Sequence, residues 1–248
     1  MADWPAGVGR IVLAQTDSTM NEAPRQIAAG ASVPFWVLAL AQSGGRGRRG
    51  RAWDMPAGNF AASHVMAPKG PQADWALRSF TASLALYEAF DALTGRADLF
   101  TLKWPNDVLC EGRKCAGILL ETDGARLTLG IGVNLVAYPE QATLEAGALP
   151  ATSILEATGR RITPEALLDA LAPAFARWEQ VLIEDGFAPV RAAWLSRAAN
   201  IGKPVTARMP GRSVSGLFDG IDTTGAIVID TGAGRQVLPA ADIFFAPS

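Results

Sequence analysis

Phe35-Trp36-Val37-Leu38-Ala39-Leu40-Ala41 runs through Gln42-Ser43-Gly44 into Gly45-Arg46-Gly47-Arg48-Arg49-Gly50-Arg51, and Phe60-Ala61-Ala62-Ser63-His64-Val65-Met66 resumes the apolar pattern. Two short apolar runs bounded by glycines read as buried strands, so the arginine stretch is the loop between them. That loop packs four arginines and three glycines into seven positions of a chain whose formal net charge is −2. Glycine lets backbone amides approach a ligand, and each guanidinium is a planar fork of donors suited to phosphate or carboxylate. Positive charge this dense on such backbone predicts a loop that closes over an anion.

Working outward, Ile11-Val12-Leu13-Ala14 reads as a strand. The stretch Asp17-Ser18-Thr19-Met20-Asn21-Glu22 then carries helix-start chemistry, with Thr19 and Glu22 at capping-box spacing and a short helix expected to about residue 29. Downstream, Leu77, Phe80, Leu84, Tyr87 and Leu93 recur at roughly helical intervals across residues 74–93. Strands are expected at 100–103, 114–121 and 126–133. Residues 140–162, rich in Ala, Gly and Pro, read as a surface connection. Thr163-Pro164 opens a helix with Leu167, Leu168, Leu171, Phe175, Trp178 and Leu182 on one face. After residue 197 the pattern changes to short strands at 204–209, 213–221, 226–230, 235–239 and 242–245, separated by glycine turns, as in a small antiparallel barrel. The fold class is therefore α+β. A mixed sheet flanked by helices occupies residues 1–197 and a small barrel residues 198–248.

Composition narrows the function. At 248 residues with 49% hydrophobic side chains, the chain can bury a large core. A sequence pI near 5.5 argues against a general binder of DNA, RNA or anionic membrane, because the arginine loop is the one basic patch. Cys110, Cys115 and a lone histidine, His64, do not make a zinc site, and His64 reads as a strand residue without catalytic duty. Met1-Ala2-Asp3-Trp4-Pro5 lacks signal-peptide character and no apolar run reaches transmembrane length, so a cytoplasmic protein is expected.

Residues 45–50 formally satisfy G-x-G-x-x-G. That fingerprint needs a helix at once, whereas Ala52-Trp53-Asp54-Met55-Pro56-Ala57-Gly58 follows here. A basic solvated turn or an RGG-like RNA contact are the other readings of the loop. A second constellation, Lys103-Trp104-Pro105-Asn106-Asp107, ends a strand and displays a cation, an amide and a carboxylate at a stiff junction. Its plain alternative is a turn formed by Asn106 and Asp107 with Lys103 in solvent. Lys114-Cys115-Ala116-Gly117-Ile118 and Gly130-Ile131-Gly132-Val133-Asn134 add a lysine and glycines against which a ligand can lie.

In this order the pieces resemble biotin protein ligases. The matching signatures are Asp17-Ser18-Thr19, residues 42–51 with Trp53, residues 103–107, Lys114 with Ala116-Gly117-Ile118, and Gly132 with Asn134. Residues 201–245 look like the family's small C-terminal barrel, of SH3 type, and the larger part like its catalytic domain, which is related to class II aminoacyl-tRNA synthetases. Departures from the family pattern are Met20 for asparagine, Asp54-Met55-Pro56 for serine-proline, and a tail without arginine after Asp242. No helix-turn-helix region precedes Ile11, so the short form without DNA-binding activity is expected.

The resemblance implies that the protein adenylates biotin with ATP and Mg²⁺, then passes biotin to a lysine of a biotin carboxyl carrier domain such as that of acetyl-CoA carboxylase. In that scheme Lys103 bridges the biotin carboxylate and the α-phosphate, while Arg48, Arg51 and Lys114 neutralise phosphate charge. Ser18, Thr19, Gln42, Gly45, Arg46, Lys114, Gly117 and Gly132 hold biotin. Arg48, Arg49, Arg51, Trp53, Lys103, Asn106 and Asn134 hold the adenylate, and Asp107 assists the incoming amine. Ser18 and Thr19 have a second reading as a helix cap alone. Residues 45–53 are expected to be mobile without ligand and to close over biotin and the adenylate, shielding the anhydride from water. Lipoate or octanoate ligases and a non-enzymatic biotin-adenylate sensor are the alternatives. A homodimer through edge strands of the sheet is compatible with the sequence.

Overall fold

The computed structural model describes residues 3–141 and 148–245. In chain order the elements are β1 (Gly9–Leu13), α1 (Thr19–Ala28), β2 (Phe35–Ala39), β3 (Phe60–Met66), α2 (Arg78–Thr94), β4 (Phe100–Lys103), β5 (Asp107–Cys110), β6 (Arg113–Thr122), β7 (Leu127–Val133), α3 (Ile154–Thr158), α4 (Pro164–Glu184) and α5 (Phe187–Leu195). Then come β8 (Pro204–Met209), β9 (Arg212–Ile221), β10 (Ile227–Asp230), β11 (Arg235–Leu238) and β12 (Asp242–Phe245). The first seven strands form one sheet in the order β1-β2-β3-β7-β6-β5-β4, mixed because β1 and β2 are parallel while the other pairs are antiparallel. The last five form an antiparallel sheet in the order β11-β10-β9-β8-β12.

β2 reads as an unbroken apolar run because both its faces are covered. Trp36 and Leu38 join Phe60 and Ala62 of β3 in the main core, while Phe35 and Val37 turn the other way against Ala23 of α1. Alternate residues of a strand point to opposite faces, so the one run serves two layers. α2 and α4 cover the main-core face, and α1 lies against β2, β3 and β7. Each large side chain fully buried here contributes about 1.5–3 kcal/mol. Arg78 of α2 and Glu179 of α4 form a buried ion pair, Nη2 to Oε1 at 2.7 Å, between these two helices. His64 is buried in β3, stacked on Trp36 with ring centres 4.6 Å apart and edge-on to Phe175. Cys110 and Cys115 are free thiols in the core.

The two sheets share that core, which runs on into Val205, Phe218, Ile227 and Ile229. Trp104 Nε1 donates to Gly225 O at 2.9 Å, and Arg191 Nε to Ile221 O at 2.6 Å. Gly225 has φ +84°, and a Cβ there would run into Phe80 and Leu77 of the larger part, so the junction requires glycine.

Three local expectations change. The α1 cap is Ser18, whose side chain accepts the Met20 amide, so the helix starts one residue earlier than the Thr19–Glu22 spacing implies and no capping box forms. β5, α3 and α5 were not anticipated, because β5 and α3 are four and five residues long and α5 has Gly186 just before it. Residues 140–162 are not merely a surface connection. Lys114 N donates to Pro150 O and Thr152 N to Lys114 O, and Thr152, Ser153 and Ile154 are buried. Residues 142–147 of that stretch, with residues 1–2 of the start read for a signal peptide, lie outside the described residues.

Candidate active site

The arginine loop is folded as a small hairpin. Trp53 N donates to Gly45 O at 2.9 Å and Gly47 N to Arg51 O at 2.7 Å, Arg46 bridges Ala52, and one turn of 3-10 helix spans Arg48–Gly50. A Cβ on Gly45 would overlap the Gln42 amide and the Trp53 carbonyl, so the hairpin base closes only with glycine there. Arg46 is a strut. Its Nε and Nη2 grip both Glu121 oxygens of β6 at 2.9 and 2.7 Å, and its Nη1 donates to Asn21 Oδ1 at 2.7 Å. The other three guanidiniums converge on one carboxylate. Asp242 of β12 is 3.5 Å from Arg48 Nη1, 2.7 Å from Arg49 Nη1 and 3.3 Å from Arg51 Nη2.

Lys103 and Asp107 face each other across the β4–β5 hairpin, and Asp107 in turn pairs with Gly117 on β6. Asp107 Oδ1 lies 2.6 Å from Lys114 Nζ and Oδ2 lies 3.6 Å from Lys103 Nζ. Burial pushes the Lys103 ammonium below its usual range, with Asp107 opposing. Burial would raise the Asp107 carboxyl, but Lys114 and Lys103 outweigh it and hold that carboxyl below its ordinary value. The connecting turn is braced on three sides. Ser79 Oγ donates to Pro105 O at 2.9 Å, Asn106 Nδ2 to Ile118 O at 2.5 Å, and Trp104 is tied to Gly225.

Many of these groups line one cavity of about 500 Å³. Its charged lining comprises Arg48, Arg51, Lys103, Lys114, Asp107 and Asp242, and its apolar lining Met20, Ala61, Ile118, Leu119, Ile131 and Trp53, with Lys114 Nζ 5.6 Å from the centre of the Trp53 ring. Ser18, Thr19 and Gln42 stand at the α1 end. Gln42 Oε1 accepts Thr19 N at 2.8 Å, and Thr19 Oγ1 accepts the Ser63 hydroxyl at 2.8 Å, which leaves its own O–H to donate. The Trp53 indole lies over Gly132 and Gly117, where any Cβ would crowd it, and its buried Nε1 has no hydrogen-bond partner among the described residues. A buried donor left unmade costs about 1–3 kcal/mol, so Nε1 is suited to a ligand acceptor.

Of the residues expected from sequence, Ser18, Thr19, Gln42, Arg46, Arg48, Arg51, Trp53, Lys103, Asn106, Asp107, Lys114, Gly117, Gly132 and Asn134 line this cavity. Gly45 and Arg49 do not. Gly45 closes the hairpin base, and Arg49 pairs with Asp242. The Asn134 amide is committed to Thr152 O at 3.2 Å and so holds the 150–154 segment. Asp107 is held between two ammonium groups, those of Lys114 and Lys103. Asp242, Ile243 and Phe244 of β12 line the cavity without having been anticipated, since a single acid in a short strand carries no motif.

Residues 12–135 match the model of the Biotin/lipoate A/B protein ligase family, and residues 201–246 that of the Biotin protein ligase C terminal domain. A biotin--[acetyl-CoA-carboxylase] ligase of Paracoccus denitrificans is 50% identical over 239 residues, covering 94% of this chain and 99% of the relative. A protein of the same name from Mycobacterium tuberculosis is 32% identical over 94% of this chain and 87% of its own length. Among solved structures, the biotin protein ligase from Aquifex aeolicus in complex with biotin and ATP superposes with a TM-score of 0.84 at 25% identity, covering 97% of this chain and 99% of that one. The chain belongs to the biotin protein ligase family.

Proposed function

We propose that this chain condenses biotin with ATP to biotinyl-5′-AMP and pyrophosphate, then transfers biotin to a lysine of a carrier domain such as that of acetyl-CoA carboxylase. The observation that carries this reading is one cavity lined both by the cations Lys103, Lys114, Arg48 and Arg51 and by the apolar side chains of Met20, Ile118, Leu119 and Ile131. Biotin has a carboxylate at the end of an apolar tail and a ureido ring at the far end. The apolar lining takes the tail and ring, with Ser18, Thr19 and Gln42 beside the ureido group. A carboxylate oxygen must attack the α-phosphorus of ATP as pyrophosphate leaves, so two anions are brought together. Fixed cations oppose that repulsion. Lys103 bridges the two reacting groups, Lys114 and Arg48 carry phosphate charge, and Asp107 holds both lysines in register.

In the second step the carrier amine attacks the acyl carbon, AMP leaves and the nitrogen loses a proton. Mg²⁺ would enter on the ATP phosphates. Among the described residues no group of three or more acidic, histidine or cysteine side chains is placed to hold a metal ion, and both Asp107 oxygens already face lysines. A cytoplasmic setting fits the two free buried thiols, and no helix among the described residues is long and apolar enough to cross a membrane. A second copy would add at the β1 edge of the larger sheet. Biotin-dependent exchange of labelled pyrophosphate into ATP tests the first step without a carrier. Exchange with biotin but not with lipoate or octanoate is expected, and the reverse preference overturns the reading.

A further inference from the structure

Asp242 lies about 190 residues from the arginine loop in sequence, on the outer strand β12 of the C-terminal sheet, yet it is the common partner of three of the loop's four arginines. The fourth, Arg46, is tied to the larger sheet by Glu121. Arg48 Nη2 also reaches the Ala241 carbonyl at 3.5 Å. One carboxylate offers two oxygens and a single charge, shared among three guanidiniums beside Lys103 and Lys114. A nucleotide's phosphate chain offers more charge and more oxygens to the same forks, and repels a carboxylate left among them.

We propose that Asp242 is a positioning residue that acts as a tethered stand-in for phosphate: it holds the arginine loop in its folded hairpin before nucleotide binds, and gives up Arg48 and Arg51 when the phosphates arrive. The C-terminal sheet is thereby part of the nucleotide site. This rests on the ligase reading above. It makes a prediction that a purely structural role does not. Removing the Asp242 charge loosens the free loop and at the same time tightens nucleotide binding, because phosphate no longer has a competitor.

The test compares Asp242→Asn with Asp242→Glu in the full chain. For Asp242→Asn, cleavage of residues 45–53 by an arginine-specific protease without ligand should speed up about three- to tenfold, the size expected for losing a few partly screened ion pairs. The KM for ATP and the inhibition constant of pyrophosphate should fall by a similar factor, with the KM for biotin unchanged. Asp242→Glu keeps the charge and should return both towards wild type. If Asp242→Asn does not fold, Asp242→Ser serves in its place with the same expectations. A KM for ATP that rises or stays level, or asparagine and glutamate variants that behave alike, overturns the proposal. Absence of biotin-dependent exchange in the unmutated chain would instead overturn the ligase reading, while loop cleavage and pyrophosphate protection still report on Asp242.

Discussion

Lys114 Nζ and Asp107 Oδ1 are 2.6 Å apart across neighbouring strands β6 and β5, and the other Asp107 oxygen faces Lys103 at 3.6 Å. One buried carboxylate thus holds two ammonium groups on the same side of the cavity. Without it, two like charges would be forced together in a poorly solvated site.

Lys103→Ala removes a charge that the ligase reading uses chiefly at the transition state. Pyrophosphate exchange should fall by about a hundredfold or more, while biotin affinity measured by calorimetry changes less than about tenfold. A loss of biotin affinity as large as the loss of exchange would place Lys103 in simple substrate binding.

Asp107→Asn keeps the shape of the bracket and deletes its charge. Asp107 raises the Lys103 ammonium against the downward push of burial, so its loss lowers that ammonium further. Activity that needs protonated Lys103 disappears as pH rises through its pKa. The alkaline limb of the pH profile should therefore move to lower pH in the variant, and an unmoved limb would dissociate Lys103 protonation from the rate.

Gly132→Ala places a methyl group where the Trp53 indole lies. The backbone tolerates alanine, because Gly132 does not have a positive φ. The indole must shift, and the KM for biotin should rise by roughly tenfold with little loss of stability. Trp53→Ala in the same background should return part of the affinity, a coupling that a double-mutant cycle measures.

His64 gives a pH dependence of stability. Burial, opposed by the hydrogen bond to Phe35 O, lowers its imidazole from 6.5 to about 4. The unfolded chain therefore binds more protons between pH 6.5 and 4. Stability from this group is complete above pH 6.5 and is lost as pH falls to about 4, by at most about 3 kcal/mol. Urea unfolding at pH 7 and 4.5 should show the slope, and His64→Phe, which keeps the stacking on Trp36, should flatten it.

Legibility in the sequence followed the number of neighbouring residues that carried each signal. β3, β4, β8 and β12 sit at the residues expected of them, because each is a short apolar-rich run read within its own few residues. β5 was hidden because Asn106 and Asp107 read as turn formers, although Asp107 is the first residue of the strand. The 150–154 segment was hidden because its burial comes from backbone bonds to Lys114 and Asn134, which composition does not record. Among the site residues, Arg48, Arg51, Lys103 and Lys114 stood out because each lies in a dense local motif. Arg46 and Arg49 looked like their neighbours, and only their partners separate them.

The chain itself determined that an arginine-glycine loop and a lysine-bearing turn sit between strands of an α+β protein, because turn chemistry and apolar periodicity act over a few residues. Which side chains meet was decided by packing. Asp242 reaches the arginines because Trp104, Arg191 and Gly225 lock the C-terminal sheet onto the larger part. An ion pair depends on distance in space, and positions about 190 residues apart acquire one only when the core between them has formed.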